Sequence, residues 1–317
     1  KQGGGLTAPA LTVKDTEDIR TAMTLKADYV AVSFPKNATD MELARHLCNM
    51  SSTDGHRPGL IAKIERAEAI PELENILKAS DGIMVARGDL AVEVGNAAVP
   101  GLQKRMIKLA REYDKVAITA TQMMESMILA PVPTRAEVSD VANAVLDGTD
   151  AVMLSAETAA GRFPLETVKE MANICRVAEQ ASHLDLDASF AGKIFDRIDQ
   201  SIAMGALFTA YHLGAKAIVA LTESGSTALW MSRQNVGIPI YALTSQKSSQ
   251  RKMALYRNVR PLMLEATSTD RDTALQMAEA RLKSKGALSS GDLYAITCGE
   301  PMGAPGGTNM LKICRAA

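Results

Sequence analysis

The chain has 317 residues, of which 47% are hydrophobic and 22% charged, enough for about two globular domains with a sizeable core. Its 35 basic and 36 acidic residues give a net charge of −1, which disfavours a nucleic-acid partner because such partners require a basic face. No apolar run reaches the length of a membrane span, and no signal-like segment opens the sequence, so a membrane partner is disfavoured too.

The cysteines and histidines are dispersed along the chain. The four cysteines (Cys48, Cys175, Cys298 and Cys314) form no CxxC pair, a pattern typical of reduced thiols, and we therefore expect a cytoplasmic location. The four histidines (His46, His56, His183 and His212) are dispersed as well, which disfavours a His-ligated metal.

Five short apolar segments follow one another in the first half of the chain, and each runs into polar side chains at its C-terminal end. In chain order they are ADYVAVSFP, GLIAKIE, GIMVARGD, KVAITATQ and DAVMLSAE. Their polar ends are Ser33, Lys63 with Glu65, Arg87 with Asp89, Thr121, and Ser155 with Glu157. The segments are spaced like βα units and predict strands of a buried parallel sheet. Strands that all end in reactive side chains are typical of a (β/α)₈ barrel.

The stretches between these strands carry helix signals. Thr12 and Thr134 are predicted N-caps, Pro71 is predicted to open a third helix, and Gly148 is predicted to end the one that follows Thr134. A closed (β/α)₈ barrel needs eight strands, so the five predicted here indicate that three are missing on the N-terminal side or that the sequence is a fragment. The glycines at positions 3–5 are interpreted as a flexible connection through which the chain returns from upstream structure to the barrel, with an ordinary loop as the alternative.

The second half of the chain predicts a smaller open-sheet α/β domain. The polar stretch HLDLDASFAGK is the predicted boundary, which divides the chain into residues 1–186 and 187–317. A long helix, IDQSIAMGALFTAYHLG, precedes the strands AIVALTE, PIYALTS and VRPLMLE. The closing strands DLYAITCG and MLKICRA are expected to pair through the GEPMGAPGGTN loop.

Two of the strand ends combine carboxylates with basic side chains. Strand alternation predicts Lys63 and Glu65 on one face of one strand, and Arg87 and Asp89 on one face of the next. If these strands are neighbours, Glu65 and Asp89 converge on a site that suits Mg²⁺ or Mn²⁺, and the two basic side chains make it a site for phosphate. The alternative is an internal Lys–Glu and Arg–Asp charge network that fixes the register of the barrel.

A second candidate site follows the first strand of the C-terminal domain. In AIVALTESGSTALWMSR a strand, a turn and a helix succeed one another, and the turn offers hydroxyls and a glycine at Thr222, Ser224, Gly225, Ser226 and Thr227. This arrangement predicts an anion site at a helix N-terminus, with an ordinary capped turn as the alternative. Trp230 is expected to pack in the core.

Several long motifs resemble those of the pyruvate kinase family. They are IAKIERAEAI, MVARGDLAVEV, ITATQMMESM, PTRAEVSDVANAVLDGTDAVMLSAET and TESGSTA, in the family's order, and SAETAAGRFP is similar to bacterial members. The resemblance implies the C-terminal part of the catalytic barrel followed by the regulatory domain. It implies phosphoryl transfer from phosphoenolpyruvate to ADP, which gives pyruvate and ATP in glycolysis.

The resemblance also implies roles for single residues. Lys63 would neutralise the transferred phosphoryl group and the developing enolate. The backbone at Arg87 and Gly88 would bind the substrate carboxylate, with Arg87 counted among the catalytic residues, and Thr121 would contact the substrate and take part in delivering the proton to the enolate. Ser155 and Glu157 are weaker candidates for that relay and alternatively cap the last barrel strand.

The metal site implied by the resemblance consists of Glu65 and Asp89, which would hold Mg²⁺ or Mn²⁺ beside the substrate. Ala91 stands where the family usually has Gly, a small change that we expect to be tolerated. Three barrel strands, the lid domain, an arginine that binds phosphate and the ligands of a K⁺ ion would all precede Lys1.

The loop from Thr222 to Thr227 corresponds to the family's effector site, which implies that a phosphorylated effector binds there. The segment GAPGGTN would fold over the bound effector as a flap. Glu223 lies in the same loop and is expected to point away from the ligand, because its charge would repel a phosphate. The resemblance also implies a homotetramer, although neither the oligomeric state nor the effector's identity can be determined from the sequence itself. Two alternative functions remain open at this point. They are a metal-dependent lyase or aldolase of pyruvate enolates and a non-catalytic protein that binds phosphorylated metabolites.

Overall fold

The structure is a computed structural model and describes residues 9–181, 194–265, 270–303 and 306–317. Contacts divide the chain into two compact units, Lys1–Ser182 and His183–Ala317. The predicted boundary between residues 186 and 187 and the predicted loop at residues 3–5 lie outside the described residues, so both stay predictions. No helix in the described ranges is both long and apolar enough to cross a bilayer.

The first unit is built on the five predicted strands. They are β1 (Tyr29–Val32), β2 (Gly59–Ile64), β3 (Gly82–Ala86), β4 (Val116–Ala120) and β5 (Ala151–Val152). Each pairs with the next in parallel, in the order β1-β2-β3-β4-β5, as in successive units of a barrel. The central strands β3 and β4 are buried throughout because helices and neighbouring strands cover them, whereas β1 and β5 form the two edges of an open sheet.

Helices connect these strands, and two of the three predicted helix starts are confirmed. They are α1 (Val13–Thr24), α2 (Ala38–Ser51), α3 (Leu73–Ala79), α4 (Arg87–Val94), α5 (Val99–Glu112), α6 (Arg135–Asp147), α7 (Ala156–Ala159) and α8 (Pro164–Ala181). Thr12 and Thr134 form capping boxes, and Gly148 ends α6 in the left-handed conformation that favours glycine. The helix predicted to open at Pro71 begins two residues later, at Leu73.

Aspartates secure the N-terminal ends of the sheet, opposite the edge at which the predicted site residues lie. The Leu60 N–H donates to Asp81 Oδ2 over 2.7 Å, and the Ala117 N–H donates to Asp150 Oδ2 over 2.8 Å. Arg45 also donates to Asp81, over 2.9 Å. These contacts fix neighbouring strands against one another at the end of the sheet that serves stability in barrels of this type.

The second unit is an open sheet with helices on both faces. Its elements are α9 (Ile198–His212), β6 (Ala217–Leu221), α10 (Ser226–Ser232), β7 (Ile240–Thr244), α11 (Lys247–Met253), β8 (Val259–Met263), α12 (Arg271–Ser284), β9 (Leu293–Gly299) and β10 (Thr308–Arg315). The strand order is β10-β9-β6-β7-β8, and all pairs are parallel except β9–β10, which is antiparallel. The predicted pairing of the last two strands is confirmed.

Alternate residues of the buried strands in this unit pack into separate cores on the two faces of the sheet. Ile218 and Ala220 of β6 join the core that includes α9 and α10, whereas Val219 and Leu221 join the core that includes α12. Trp230 belongs to the first of these cores, as the sequence predicts. This two-sided burial explains why β6 is apolar at every position.

Glu137 joins the start of α6 to the loop that follows β4. Its carboxylate accepts hydrogen bonds from Ser126 N (2.7 Å) and Oγ (2.5 Å) and from Thr134 N (2.8 Å) and Oγ1 (2.8 Å). Partial burial opposes ionisation, but these hydrogen bonds outweigh it and hold the pKa of Glu137 below its ordinary value. One carboxylate thus fixes both the helix cap and the adjacent loop.

We expect Glu137→Gln to lower the free energy of unfolding by about 1–2 kcal/mol near neutral pH, because the amide replaces charge-assisted acceptors. A carboxyl whose pKa is lowered by folding contributes stability above its unfolded pKa, and this contribution is lost as pH falls through the folded pKa. The deficit of the variant should therefore shrink below about pH 4. Urea unfolding at both pH values tests this. Glu125→Gln is the control, because Glu125 is exposed and bonds to no described residue; equal losses in both variants would contradict the prediction.

Candidate functional site

The ends of β1 and β2 meet in a small polar cluster. Lys63 lies near the end of β2, and its ammonium is 2.7 Å from Glu65 Oε1 and donates to Ser33 Oγ over 3.0 Å. The Phe34 N–H donates to the other carboxylate oxygen, Glu65 Oε2, over 2.8 Å. The predicted placement of Lys63 and Glu65 side by side is confirmed, and Ser33 of the neighbouring strand end joins them.

Glu65 is fully buried, yet one of its oxygens is incompletely satisfied. Oε1 accepts no hydrogen bond of good geometry from the described residues, although the ammonium of Lys63 lies close enough for an ion pair. A buried carboxylate oxygen with remaining acceptor capacity is costly unless a cation or donor completes it. This observation fits a ligand for a divalent cation better than a closed internal charge pair.

The end of β3 differs from the prediction. The strand ends at Ala86 and α4 begins at Arg87, so Arg87 and Asp89 lie in the first turn of a helix; their predicted alternation on one strand face is wrong. The paired strand β4 ends at the same level, with Ala86 opposite Ala120. Asp89 is exposed there and forms no hydrogen bond or ion pair within the described part of the chain.

Arg87 directs its buried guanidinium at the loop after β4. It donates to Thr121 O (2.8 Å), Gln122 O (3.2 Å) and Met123 Sδ (2.8 Å), and its Nη1 donates to Asp140 Oδ2 (2.6 Å). The predicted Arg87–Asp89 ion pair of a charge network is therefore not the pair that forms, whereas the Lys63–Glu65 pair is. Sequence reasoning missed Asp140; its only signal was its place on the helix that Thr134 caps.

Thr121 occupies a backbone conformation that is rare for its type. Thr121 has φ 68° and Gln122 has φ 52°. A positive φ is strained for residues other than glycine, and most of all for a β-branched residue such as Thr121. The Gly88 N–H donates to Thr121 Oγ1 over 2.8 Å, and this hydroxyl donates in turn to Ala120 O over 2.6 Å. The structure thus brings together Arg87, Gly88 and Thr121, three of the predicted site residues, at the ends of β3 and β4.

The end of β5 supports the loops around it. Glu157 is buried, and its two oxygens accept from Ser155 N (2.6 Å) and Met124 N (3.3 Å). These contacts match the alternative that Glu157 caps the last strand, and they also tie it to the loop after β4. The proton-relay role of Ser155 and Glu157 stays a prediction.

The carboxylates at this edge of the sheet are of the ligand type that a divalent cation such as Mg²⁺ prefers. No cluster of three or more His, Cys, Asp or Glu side chains occurs among the residues described. Two carboxylates, one buried with an unfilled oxygen and one exposed without a partner, suit a hard cation that takes its remaining ligands from water and substrate. Glu65 and Asp89 therefore remain the candidates for holding Mg²⁺ or Mn²⁺.

A second site is a cavity of about 340 Å³ at the C-terminal ends of β6 to β9. Of the five residues predicted for effector binding, Thr222, Ser226 and Thr227 line it, whereas Ser224 and Gly225 do not belong to its described lining. Gly303, Gly306 and Thr308 of the predicted flap also line it. Residues 304–305 of that flap lie outside the described residues.

The turn after β6 uses much of its hydrogen-bonding capacity internally. The Gly225 N–H donates to Thr222 Oγ1 over 3.0 Å, and the buried hydroxyl of Thr227 is bonded to Thr308 Oγ1 over 2.9 Å. Gly225 has φ 87°, and an added Cβ would come within 2.8 Å of Met253. Gly225 therefore shapes the turn and uses its own N–H within it, and its role in effector binding stays a prediction.

Glu223 does not point away from the cavity, contrary to the expectation. It belongs to the lining, and its Oε2 accepts a hydrogen bond from Ser245 Oγ at the end of β7 over 2.9 Å. Glu265, after β8, also lines the cavity. Sequence reasoning placed Glu223 correctly in the turn, but the contact with a residue on the neighbouring strand decides its direction.

Family comparisons divide the chain as its fold does. Residues 1–168 match the family model described as pyruvate kinase, barrel domain, and residues 200–314 match the one described as pyruvate kinase, alpha/beta domain. The first match covers more than half of the chain. It is the match that relates the open sheet of five parallel strands to a barrel.

Curated relatives agree with this match. The chain is 50% identical to a pyruvate kinase of Buchnera aphidicola subsp. Schizaphis graminum, 48% identical to pyruvate kinase II of Salmonella typhimurium and 46% identical to a pyruvate kinase of Haemophilus influenzae, each over 99% of the chain. It spans 66%, 65% and 65% of the length of these relatives, just under two thirds. All three relatives are named pyruvate kinase, so the comparisons do not support the alternative of a lyase or aldolase.

Proposed function

Because the chain belongs to the pyruvate kinase family, we propose that it carries the site at which a phosphoryl group passes from phosphoenolpyruvate to ADP, giving pyruvate and ATP. The observation that carries this proposal is the set of strand ends at one edge of the first unit. A lysine and a buried carboxylate lie at the end of β2, and a hydroxyl lies at the end of β4, with β3 between them. Phosphoryl transfer needs little covalent help and relies on positioned charges.

Lys63 supplies the positive charge of this site. Its side chain is about a quarter exposed, and its ammonium is held by Ser33 and Glu65, so the position of the charge is fixed while the side chain stays accessible to a ligand. A fixed cation stabilises charge that spreads over the phosphoryl oxygens and the enolate in the transition state. Because Lys63 is already oriented by its neighbours, little reorganisation accompanies the reaction.

Glu65 and Asp89 would hold the divalent cation, Mg²⁺ or Mn²⁺. When bound, such an ion neutralises phosphoryl oxygens and orients substrate. The family resemblance implies a K⁺ ion as well.

Gly88 and Thr121 would contact the substrate at the start of α4. The side chain of Ala86 provides no cap for this helix, and the helix dipole favours an anion at its first turn. The Gly88 N–H, which donates to Thr121 Oγ1 in this structure, would exchange that partner for the substrate carboxylate. The enolate must finally be protonated, and the Thr121 hydroxyl lies at the same strand end as a donor for that relay.

Arg87 acts as a positioning residue in this proposal. Its guanidinium binds the carbonyl oxygens of Thr121 and Gln122, which both have positive φ, and Asp140 compensates its charge. Since a guanidinium presents several donors in one plane, it can hold both carbonyls at once. The substrate-binding hydroxyl of Thr121 is thereby held in place.

The direct test is an assay of the full-length protein with phosphoenolpyruvate, ADP and Mg²⁺. We expect stoichiometric formation of pyruvate and ATP. Release of pyruvate by cleavage of a carbon–carbon bond, independent of ADP, would contradict the proposal and favour the lyase alternative.

We expect Glu65→Gln and Asp89→Asn each to weaken Mn²⁺ binding by at least about tenfold, because a hard cation loses an anionic oxygen ligand. Titration of Mn²⁺ followed by electron paramagnetic resonance measures this without turnover. Glu68→Gln is the matched control, because Glu68 lies three residues after Glu65 and pairs with Arg66. Unchanged affinity in both test variants would exclude these carboxylates as ligands.

The regulatory side of the proposal rests on the cavity in the second unit. We place a small-molecule effector there, at the loop from Thr222 to Thr227, as the family resemblance implies. A cytoplasmic homotetramer is the corresponding assembly. Regulation then requires that the effector bind two states of the assembly with different affinity.

A further inference from the structure

Six described residues other than glycine have a positive φ, and three of them have an ordinary local reason for it. Lys26 and Asp114 directly follow the C-cap residues of α1 and α5, where a left-handed residue commonly ends a helix. Asn258 is of a type that tolerates this conformation because its side chain is short and polar. The other three lie at C-terminal strand ends; they are Phe34 after β1 and Thr121 and Gln122 after β4.

Phe34 is in an unfavourable backbone conformation on two counts. Its φ is 54°, although an aromatic residue normally avoids positive φ. It also precedes Pro35, and the residue before a proline is restricted to extended conformations. Backbone strain of this kind persists only where the surrounding structure imposes it, and it concentrates at functional sites. The neighbours of Phe34 must therefore hold it in this conformation.

Contacts on both sides of this residue impose the conformation. The guanidinium of Arg66 lies over the Phe34 ring, with Cζ 5.8 Å from the ring centroid, and Arg66 itself is buried. On the other side, Pro35 is buried, and the Lys36 N–H donates to Asp40 Oδ2 of α2 over 2.7 Å. The ring and the following segment are thus both anchored, so the backbone between them has little freedom to relax.

The strained turn aims a backbone donor at the buried carboxylate of the site. The Phe34 N–H donates to Glu65 Oε2 over 2.8 Å. The preceding residue, Ser33, accepts a hydrogen bond from Lys63 over 3.0 Å. Two consecutive residues after β1 therefore hold the carboxylate and the ammonium at the end of β2, one through its backbone and the other through its hydroxyl.

This hydrogen bond determines how the Glu65 carboxylate is rotated. The terminal torsion of a glutamate is soft, so the two oxygens can exchange places unless a contact fixes them. With Oε2 held by an N–H, Oε1 is the oxygen that lies 2.7 Å from the Lys63 ammonium and retains acceptor capacity. A hydrogen bond to an ionised group is of the stronger kind, and the burial of Glu65 strengthens it further.

We propose that Phe34 is a positioning residue of the site, whose strained backbone N–H fixes Glu65 so that Oε1 stays open to a divalent cation. This inference rests on the proposed function and adds a residue to it. Phe34 acts through Glu65 and not by contact with the substrate. Because the strain is present before any ligand binds, the carboxylate needs no reorganisation when the cation arrives.

Replacing the Phe34 amide by an ester tests the donor alone. Phenyllactic acid at position 34 of the full-length protein keeps the ring and removes the N–H. Titration with Mn²⁺, followed by electron paramagnetic resonance without substrate, measures the effect. We expect Mn²⁺ binding to weaken by at least about tenfold, because a hydrogen bond to a charged group is lost.

The matched control is the same kind of ester at Leu60. The Leu60 N–H also donates to a carboxylate, Asp81 Oδ2, over 2.7 Å, but at the opposite end of the sheet. Both esters should lower the melting temperature, whereas only the one at position 34 should weaken Mn²⁺ binding. Unchanged Mn²⁺ affinity in the folded position-34 ester, or equal losses from both esters, would overturn the proposal.

Phe34→Gly and Phe34→Ala provide a second test with ordinary variants. Both retain the N–H and lose the ring, but only glycine adopts a positive φ without strain. Glycine should therefore keep the donor aimed at Glu65, whereas alanine should relax away from it. We expect Phe34→Gly to bind Mn²⁺ at least about threefold more tightly than Phe34→Ala and to melt at a higher temperature, the reverse of the usual order of these residues. Equal or tighter Mn²⁺ binding by Phe34→Ala would contradict the proposal.

Glu65→Gln in the same Mn²⁺ titration separates this inference from the proposed function. If Glu65→Gln weakens binding and the position-34 ester does not, Glu65 remains the ligand and only the role of Phe34 is wrong. If the transfer assay fails while the ester and Glu65→Gln both weaken binding, the role of Phe34 stands and the proposed function falls.

Discussion

Lys63→Met should lower kcat for phosphoryl transfer by about a thousandfold, because the charge it removes acts mainly on the transition state. The KM for phosphoenolpyruvate should change much less. Initial rates of the full-length protein over a range of substrate concentrations measure both. Lys63 also compensates the buried Glu65, so we expect the variant to be less stable as well, and Mn²⁺ should restore part of that stability.

Two further variants make this result interpretable. Lys78→Met removes an ammonium from the last turn of α3, which precedes β3 and does not belong to the site at the C-terminal strand ends. This variant should leave kcat unchanged. Lys63→Arg retains the charge but not its position, and should recover stability more fully than kcat. Near-normal turnover of a folded Lys63→Met protein would refute the catalytic role and favour the charge-network interpretation.

Arg87→Met should lower kcat by about a hundredfold, since its loss releases Thr121 and Gln122 from their strained conformations. Arg87→Lys should rescue little, because an ammonium cannot bind two carbonyls and a carboxylate in one plane. The informative measurement is the double variant Arg87→Met with Gln122→Gly. Glycine tolerates positive φ, so this change should recover part of kcat without restoring the guanidinium.

Arg45→Met is the matched control for Arg87. Arg45 also donates to a backbone carbonyl and an aspartate, Ala79 O over 3.2 Å and Asp81 over 2.9 Å, but at the N-terminal ends of the strands. Its loss should lower the melting temperature and leave kcat intact. If Arg87→Met behaves in the same way, Arg87 is a structural residue and does not position Thr121 for the reaction.

Features that depend on local chain chemistry could be read from the sequence. The five strands of the first unit, the caps at Thr12 and Thr134 and the left-handed Gly148 all follow from side-chain type and spacing within about one turn or strand. The placement of Lys63 beside Glu65 follows from strand alternation in the same way. These features need no knowledge of distant residues.

The tertiary structure alone decided where several side chains point. Arg87 binds Thr121 and Asp140, which lie 34 and 53 residues further along the chain, and Glu223 is held by Ser245 of the neighbouring strand. Contacts of this kind depend on which strands and helices become neighbours, and the spacing of residues along one segment carries no information about them. The sequence by itself therefore determined which residues stand at the strand ends. Packing between elements decided which of them face a ligand and which hold a loop, because a buried donor or acceptor must find its partner wherever the fold provides one.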